Sequence, residues 1–184
     1  MHLPGRSSHG RPVAVFYRMS QPRETTFVVN AYQDPVMIKV SGRACFQNTG
    51  PLNDFFRRMI ASGRRTFLID FRDCTGMDST FLGVLAGIGI ELRKPHHQGS
   101  LVLCRLGERN LELVINLGLH RILTVDRGEA QPDAGGAFQS LGADKVNQVQ
   151  QARMVLQAHE NLVEVDESNR EKFQDVIAFL RNQA

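Results

Sequence analysis

Asp78 and Ser79 stand where an apolar strand pattern hands over to an apolar helix pattern. A carboxylate followed by a hydroxyl at such a junction suits helix capping, because a short oxygen-bearing side chain accepts the unpaired N–H groups of the first turn. The same place suits an anion. Free backbone N–H groups and the positive end of the helix dipole gather there. A phosphate ester on Ser79 would be tolerated locally, so its effect would fall on whatever docks against it. It would add about −1.5 to −2 charges to a surface that Asp73 and Asp78 already make acidic. Capping and phosphate acceptance can coexist at one such position.

The other chemistry-bearing residues form no catalytic set. His96-His97 has no Cys, Asp or Glu at useful spacing close by and reads as a solvated loop, so no metal site is expected. His159-Glu160 begins like the zinc pattern H-E-x-x-H, but position 163 is Val. Gly87-Ile88-Gly89 falls inside a helical pattern and not after a strand, which argues against a dinucleotide loop and leaves close helix–sheet packing as the expected role of those glycines. Cys74 reads as an inert thiol and Asp70 as a structural carboxylate at a strand end. No nucleophile, base and orienting group can be assembled from spacing, so neither enzyme activity nor a cofactor is expected.

The elements that must position Ser79 follow from periodicity. Thr25 to Asn30 and Val36 to Ser41 are β-prone runs joined by the turn Asp34-Pro35. Leu52, Phe55, Phe56 and Met59 repeat at i, i+3, i+4, i+7 and predict a helix that opens at Pro51 and ends at Gly63. Thr66 to Phe71 is an apolar strand, followed by an expected turn at Cys74-Thr75-Gly76. The helix opening at Asp78-Ser79 carries Leu82, Leu85, Ala86, Gly89 and Leu92 on one side, and Pro95 closes it. Leu101 to Cys104 is a strand. Leu111, Val114 and Ile115 mark a third helix capped by Gly118, and Ile122 to Val125 is a last strand. The order predicts an α/β fold over residues 25–127, a mixed sheet of four to five strands flanked by helices.

Residues 128–140 hold Pro132, Asp133 and two adjacent glycines and read as a linker. A C-terminal extension over 141–184 should hold two helices. Val146, Val149, Ala152, Leu156 and Val163 fall near one face of the first. The second opens with Ser168-Asn169-Arg170-Glu171, a capping box, and repeats Phe173, Val176, Ile177 and Leu180 along one stripe. That stripe must be buried on the domain or on a second chain.

The chain has 184 residues, 42% hydrophobic and 22% charged, which suits one globular domain with an appendage. Its net charge of +3 is unevenly placed. Residues 1–24 form a basic, Gly/Pro-rich tail containing Arg6, Arg11, Arg18 and Arg23 and no acid before Glu24, and Met19 is a candidate start within it. Scattered arginines without an aromatic platform do not make a nucleic-acid interface, and no direct nucleic-acid partner is expected. Cys45, Cys74 and Cys104 are odd in number and lack CxxC spacing, which fits reduced thiols in the cytoplasm. No apolar run reaches the ~20 residues that span a bilayer, so no membrane partner is expected.

Phe67-Leu68-Ile69-Asp70-Phe71 followed by Met77-Asp78-Ser79-Thr80-Phe81-Leu82-Gly83-Val84-Leu85 resembles the STAS family of anti-sigma factor antagonists. There, a buried strand ends near an Asp and a turn leads to D-S-[ST]-G-L-G at a helix start. Asn110 to Leu119 followed by Ile122 to Val125 is similar to the family's third helix and closing strand. The resemblance covers about residues 25–127. It implies that Ser79 is the phosphoacceptor of a partner serine protein kinase that is also the anti-sigma factor. It further implies that Asp78, Thr80, Phe81 and Gly83 bind the partner, with Arg43, Gln47 and Asn48 in the neighbouring second-strand loop. Phe81 stands where the family usually has Gly, as either a core plug or an exposed partner anchor. The loop Gly42 to Thr49 also lacks the family's common Asp.

Partner switching needs the Ser79 hydroxyl displayed to solvent, so that an anion spoils a docking face. A competing expectation is a non-phosphorylated scaffold or sensor subunit that forms a homodimer through Phe81 and the C-terminal helices. A small-ligand module is a third, and a deep polar pocket with convergent titratable groups would favour it.

Overall fold

The computed structural model describes residues 26–126, 128–130, 136–142 and 147–182. The tail expected over 1–24 lies outside them, as do Pro132, Asp133 and Val146. Strands β1 (Thr26–Asn30) and β2 (Val36–Ala44) form the expected hairpin, and helix α1 (Gly50–Ala61) follows. Then come β3 (Thr66–Met77), α2 (Ser79–Arg93), β4 (Ser100–Cys104), α3 (Glu108–Asn116), a 3-10 turn at Leu119–Arg121, and β5 (Thr124–Val125). Strand β6 (Gln139–Ser140) and helices α4 (Gln148–Val165) and α5 (Asn169–Arg181) complete the chain.

The sheet runs β5-β4-β3-β2-β1-β6. Strands β2 to β5 are parallel, and β1 and β6 are antiparallel additions at one edge. Parallel neighbours need crossovers, which α1, α2 and α3 supply. The sheet has six strands where four to five were expected. The extra one is β6: Gln139 and Ser140 pair with Val29 and Val28, and Leu141 N–H bonds Phe27 O at 2.8 Å. Part of the stretch expected to be a linker over 128–140 thus covers the β1 edge.

Alternation along β3 sorts its two faces. Phe67, Ile69 and Phe71 join Ile38, Val40, Leu101 and Leu103 beneath the helices, in the main core. Leu68 faces the other way, with Met37 and Cys104, under Ala130 and Phe138. Asp70, also on that side, pairs with Arg105 at 3.0 Å and accepts Arg72 N–H at 3.0 Å, the structural role expected of it.

Local signals set the helix ends. Gly63, at φ +95°, lets Gly63 N–H and Arg64 N–H close back on Ile60 O and Met59 O, which stops α1. Strand β3 does not turn at Cys74-Thr75-Gly76 as expected. It continues beside β2 to Met77 through two register shifts, pairing Gly76 with Arg43 and Met77 with Ala44.

The two C-terminal helices fold back onto their own domain, α4 against α2 and α5 against α4. The expected stripe of α5 holds: Leu180 is buried and Phe173, Val176 and Ile177 are half-buried. The face expected for α4 does not. Val149 is 50% exposed and Ala152, Leu156 and Val163 are only half-buried, while Ala158, His159 and Leu162 make the contact. Ser168 makes no side-chain cap; the Asp166 carboxylate instead accepts Ser168 N–H at 3.0 Å, so an Asp turn replaces the expected capping box.

Candidate functional site

Strands β2 and β3 run side by side to their C-terminal ends, where Asp78 N–H bonds Ala44 O at 3.1 Å. Loops at the C-terminal ends of parallel strands carry ligand and partner sites in open α/β sheets. Asp78 has the extended backbone of an N-cap (φ −108°, ψ 173°). Its Oδ1 accepts Phe81 N–H at 2.9 Å and its Oδ2 accepts Phe46 N–H at 2.8 Å. One carboxylate therefore caps α2 and ties down the β2–α1 loop.

That loop is stapled from within. Asn48 Oδ1 accepts Cys45 N–H and Asn48 Nδ2 donates to Arg43 O, both at 2.9 Å, and Thr49 Oγ1 donates to Cys45 O at 2.7 Å. Arg43, Phe46 and Gln47 remain exposed beside the start of α2, while Asn48 is half-buried and occupied with its own loop. The resemblance predicts that Arg43, Gln47 and Asn48 neighbour the serine, and the Asp78–Phe46 bond brings their loop there.

Ser79, the first residue of α2, is half-buried and not freely displayed. Its Oγ lies 3.0 Å from His159 Nε2. His159 is 4% exposed, and its Nδ1 lies 2.8 Å from Val155 O. A carbonyl only accepts, so Nδ1 carries a proton, and in the neutral ring Nε2 accepts the Ser79 hydroxyl proton. The Phe173 ring meets the imidazole edge-on, with centroids 4.9 Å apart. His159 thus enters the site from the C-terminal extension, where the sequence offers only an incomplete zinc pattern. No spacing rule links it to Ser79.

The residues flanking Ser79 divide. Phe81 is fully buried, stacked on Phe27 and edge-on to Phe71, with centroids 6.1 Å from each. It is the core plug, and direct partner contact through its side chain, whether kinase or second copy, is corrected by that burial. Thr80 is 4% exposed and points inward as well. Gly83 is covered by α4. A Cβ there would stand 2.2 Å from Ala158 O, and Asn161 Nδ2 donates to Gly83 O at 3.1 Å. A Cβ on Gly87 would meet Asn161 Nδ2 at 2.3 Å, whereas one on Gly89 would meet Leu123. The glycines of α2 therefore serve helix–helix contact and the β5 approach, not the helix–sheet packing expected.

A serine beside a histidine resembles a nucleophile–base pair, but the neighbouring groove does not include it. The groove of about 600 Å³ between α1, α2 and α4 is lined by Arg57, Glu91, His97 and Asn161 and does not reach Ser79. At its edge, Glu91 comes from α2 to meet the loop histidines, so His96, His97 and Glu91 place ligand atoms within 4.8 Å of one another. Spacing alone does not reveal that carboxylate. Lys94 Nζ binds Glu91 Oε2 at 2.6 Å and His97 Nε2 lies 2.9 Å from Oε1. The Lys94 hydrogen bond, helped by His97, holds the Glu91 carboxyl below its ordinary range. The ammonium already neutralises the carboxylate a cation would need. Burial pushes the Cys74 thiol up, against the opposing effect of its hydrogen bonds with Gly76, Ala44 and Asn110, which disfavours a reactive thiolate. Among the described residues, no helix is long and apolar enough to cross a membrane.

A family model for the STAS domain matches residues 26–131, more than half of the chain. No curated protein matches. Among solved structures, the chain is similar to the anti-sigma factor antagonist SpoIIAA in its unphosphorylated form, at 18% identity and a TM-score of 0.48, over 58% of this chain and 91% of that one. It is also similar to the Bacillus cell fate determinant SpoIIAA in the phosphorylated form, at 19% identity and a TM-score of 0.47, over 56% and 93%.

Proposed function

The chain belongs to the STAS domain family, and from that premise we propose that it is an anti-sigma factor antagonist that switches partners, binding an anti-sigma serine kinase and releasing it once Ser79 is phosphorylated. The observation that carries this reading is the pair of hydrogen bonds that Asp78 accepts, one on each carboxylate oxygen. By capping α2 and holding Phe46, it joins Ser79 and the exposed Arg43, Phe46 and Gln47 into one patch at the ends of β2 and β3. A phosphate on Ser79 would add about −1.5 to −2 charges beside that patch once His159 gives way, since the docked imidazole closes on the hydroxyl. Loss of a contact of about 2 to 4 kcal/mol weakens binding ~30- to 1,000-fold, enough to switch partners.

The experiment is a binding titration with the serine kinase recovered alongside the native protein. Ser79→Asp should bind at least ~30-fold more weakly than the wild type. Equal affinities would remove the reading. The scaffold alternative no longer has Phe81 as an anchor and would rest on Phe179 of α5, which is 59% exposed. Sedimentation at micromolar concentration separates the two: a monomer fits the antagonist, and a dimer abolished by Phe179→Ala fits the scaffold.

A further inference from the structure

Helix α4 lies over the face of α2 that begins with Ser79, and three of its residues meet that face. His159 closes the approach to Ser79 Oγ, Ala158 lies backbone to backbone against Gly83, and Asn161 bonds Gly83 O. We propose that α4 and α5 are a cis-acting cover, and that docking of α4 and phosphorylation of Ser79 exclude one another. This rests on Ser79 being the phosphoacceptor and concerns how that site is controlled.

The exclusion is steric first. A phosphoryl group bonded to Oγ needs space for three more oxygens, and a buried imidazole nitrogen stands 3.0 Å away. It is one of access second. In-line transfer needs the γ-phosphate of a nucleotide brought up to Oγ, with the hydroxyl proton passing to a kinase base. In the docked chain the hydroxyl is hydrogen-bonded to His159 instead of facing such a base, and the approach on that side is filled by α4.

The cover is also built to come away. Of α4, Ala158, His159 and Leu162 are buried while Met154, Val155, Leu156 and Val163 are only half-buried, and elements with few fully buried residues open locally below the global unfolding free energy. Its stronger attachments lie at the far end, away from Ser79. Asn169 is fully buried, donating to Leu117 O at 3.0 Å and Leu162 O at 2.8 Å, and Asp166 pairs with Arg121 at 3.0 Å. Coupling is reciprocal. Whatever factor docking takes from the phosphorylation equilibrium, phosphate takes from docking, so modification of Ser79 would release α4 and expose the Gly83–Gly87 face beneath it.

The test uses the full chain carrying Ser79→Cys and needs no kinase. N-ethylmaleimide alkylation of the introduced thiol is followed by peptide mass spectrometry, with the urea-unfolded chain giving the unprotected rate. Amide hydrogen exchange of residues 148–165 is measured under the same conditions. The cover predicts that the thiol is protected ~10-fold or more and that its protection matches that of the α4 amides. Adding Ala158→Leu, whose extra bulk has no room at a position 1% exposed on the underside of α4, should speed both by the same factor. A thiol reacting at the unfolded rate while α4 amides stay protected would overturn the proposal. So would a thiol whose protection exceeds that of α4 and follows global unfolding. Because alkylation reads access alone, absence of phosphate on Ser79 in cells would defeat the proposed function without touching this result.

Discussion

Ser79 Oγ and His159 Nε2 lie 3.0 Å apart across 80 positions of sequence. The pair joins the start of α2 to the middle of α4, and Val155 O fixes the imidazole by taking the Nδ1 proton, so that in the neutral ring the hydroxyl is the donor. The serine that capping rules and resemblance both single out is therefore engaged by a residue outside the family match at 26–131.

Removing the imidazole should loosen α4 before it harms the sheet. His159→Ala deletes the Ser79 bond and the edge-on contact with Phe173, a loss of about 2 to 4 kcal/mol from the docking of the C-terminal helices. Hydrogen exchange should show faster amides in 148–181 and unchanged amides in β2, β3 and β4.

At Gly83 two effects oppose each other, and magnitude decides. Alanine favours the helix over glycine by about 1 kcal/mol. Its Cβ would stand 2.2 Å from Ala158 O, and a backbone atom cannot rotate aside. Gly83→Ala should therefore displace α4 while leaving α2 as well formed as before, read as faster exchange in 148–165 with α2 amides unchanged.

The two phenylalanines near the site should behave oppositely. Phe81→Ala opens a cavity among Phe27, Phe71 and their neighbours and should cost about 3 to 5 kcal/mol. Phe46→Ala, at a position 43% exposed, should change stability by less than about 0.5 kcal/mol. Denaturant midpoints at constant slope check both.

The corner between α4 and α5 carries an acid-sensitive contact. Hydrogen bonds from Ser168, then the charges of Arg121 and Lys172, hold the Asp166 carboxyl below its ordinary value of 3.8. A depressed folded value means the stabilisation is fully present above the unfolded value and is lost as pH falls through the folded one. Exchange in 162–172 should be independent of this group from pH 8 down to about 5 and should rise only below its ordinary value. Asp166→Asn should remove that acid transition.

Much of this arrangement is legible in the sequence. The apolar strand from Thr66 to Phe71, the Asp78 cap, the repeat on α5 and the glycine stops at Gly63 and Gly118 all follow from local rules and sit as expected, whereas the strand's extension to Met77 does not. The α4 face is not legible, because periodicity counts apolar residues. The docking surface is a groove made by missing side chains at Gly83 and Gly87, and what fits it is small or polar: Ala158, His159 and Asn161. Strand β6 is hidden by its Pro/Gly-rich approach. Phe81 is ambiguous because helix position alone does not say whether a first-turn aromatic tilts inward to stack on Phe27.

The most direct measurement maps phosphate transferred from ATP to the full chain by the serine kinase recovered with the native protein. The account predicts one modified residue, Ser79, and loss of uptake in Ser79→Ala. Wild-type uptake by Ser79→Ala would contradict it.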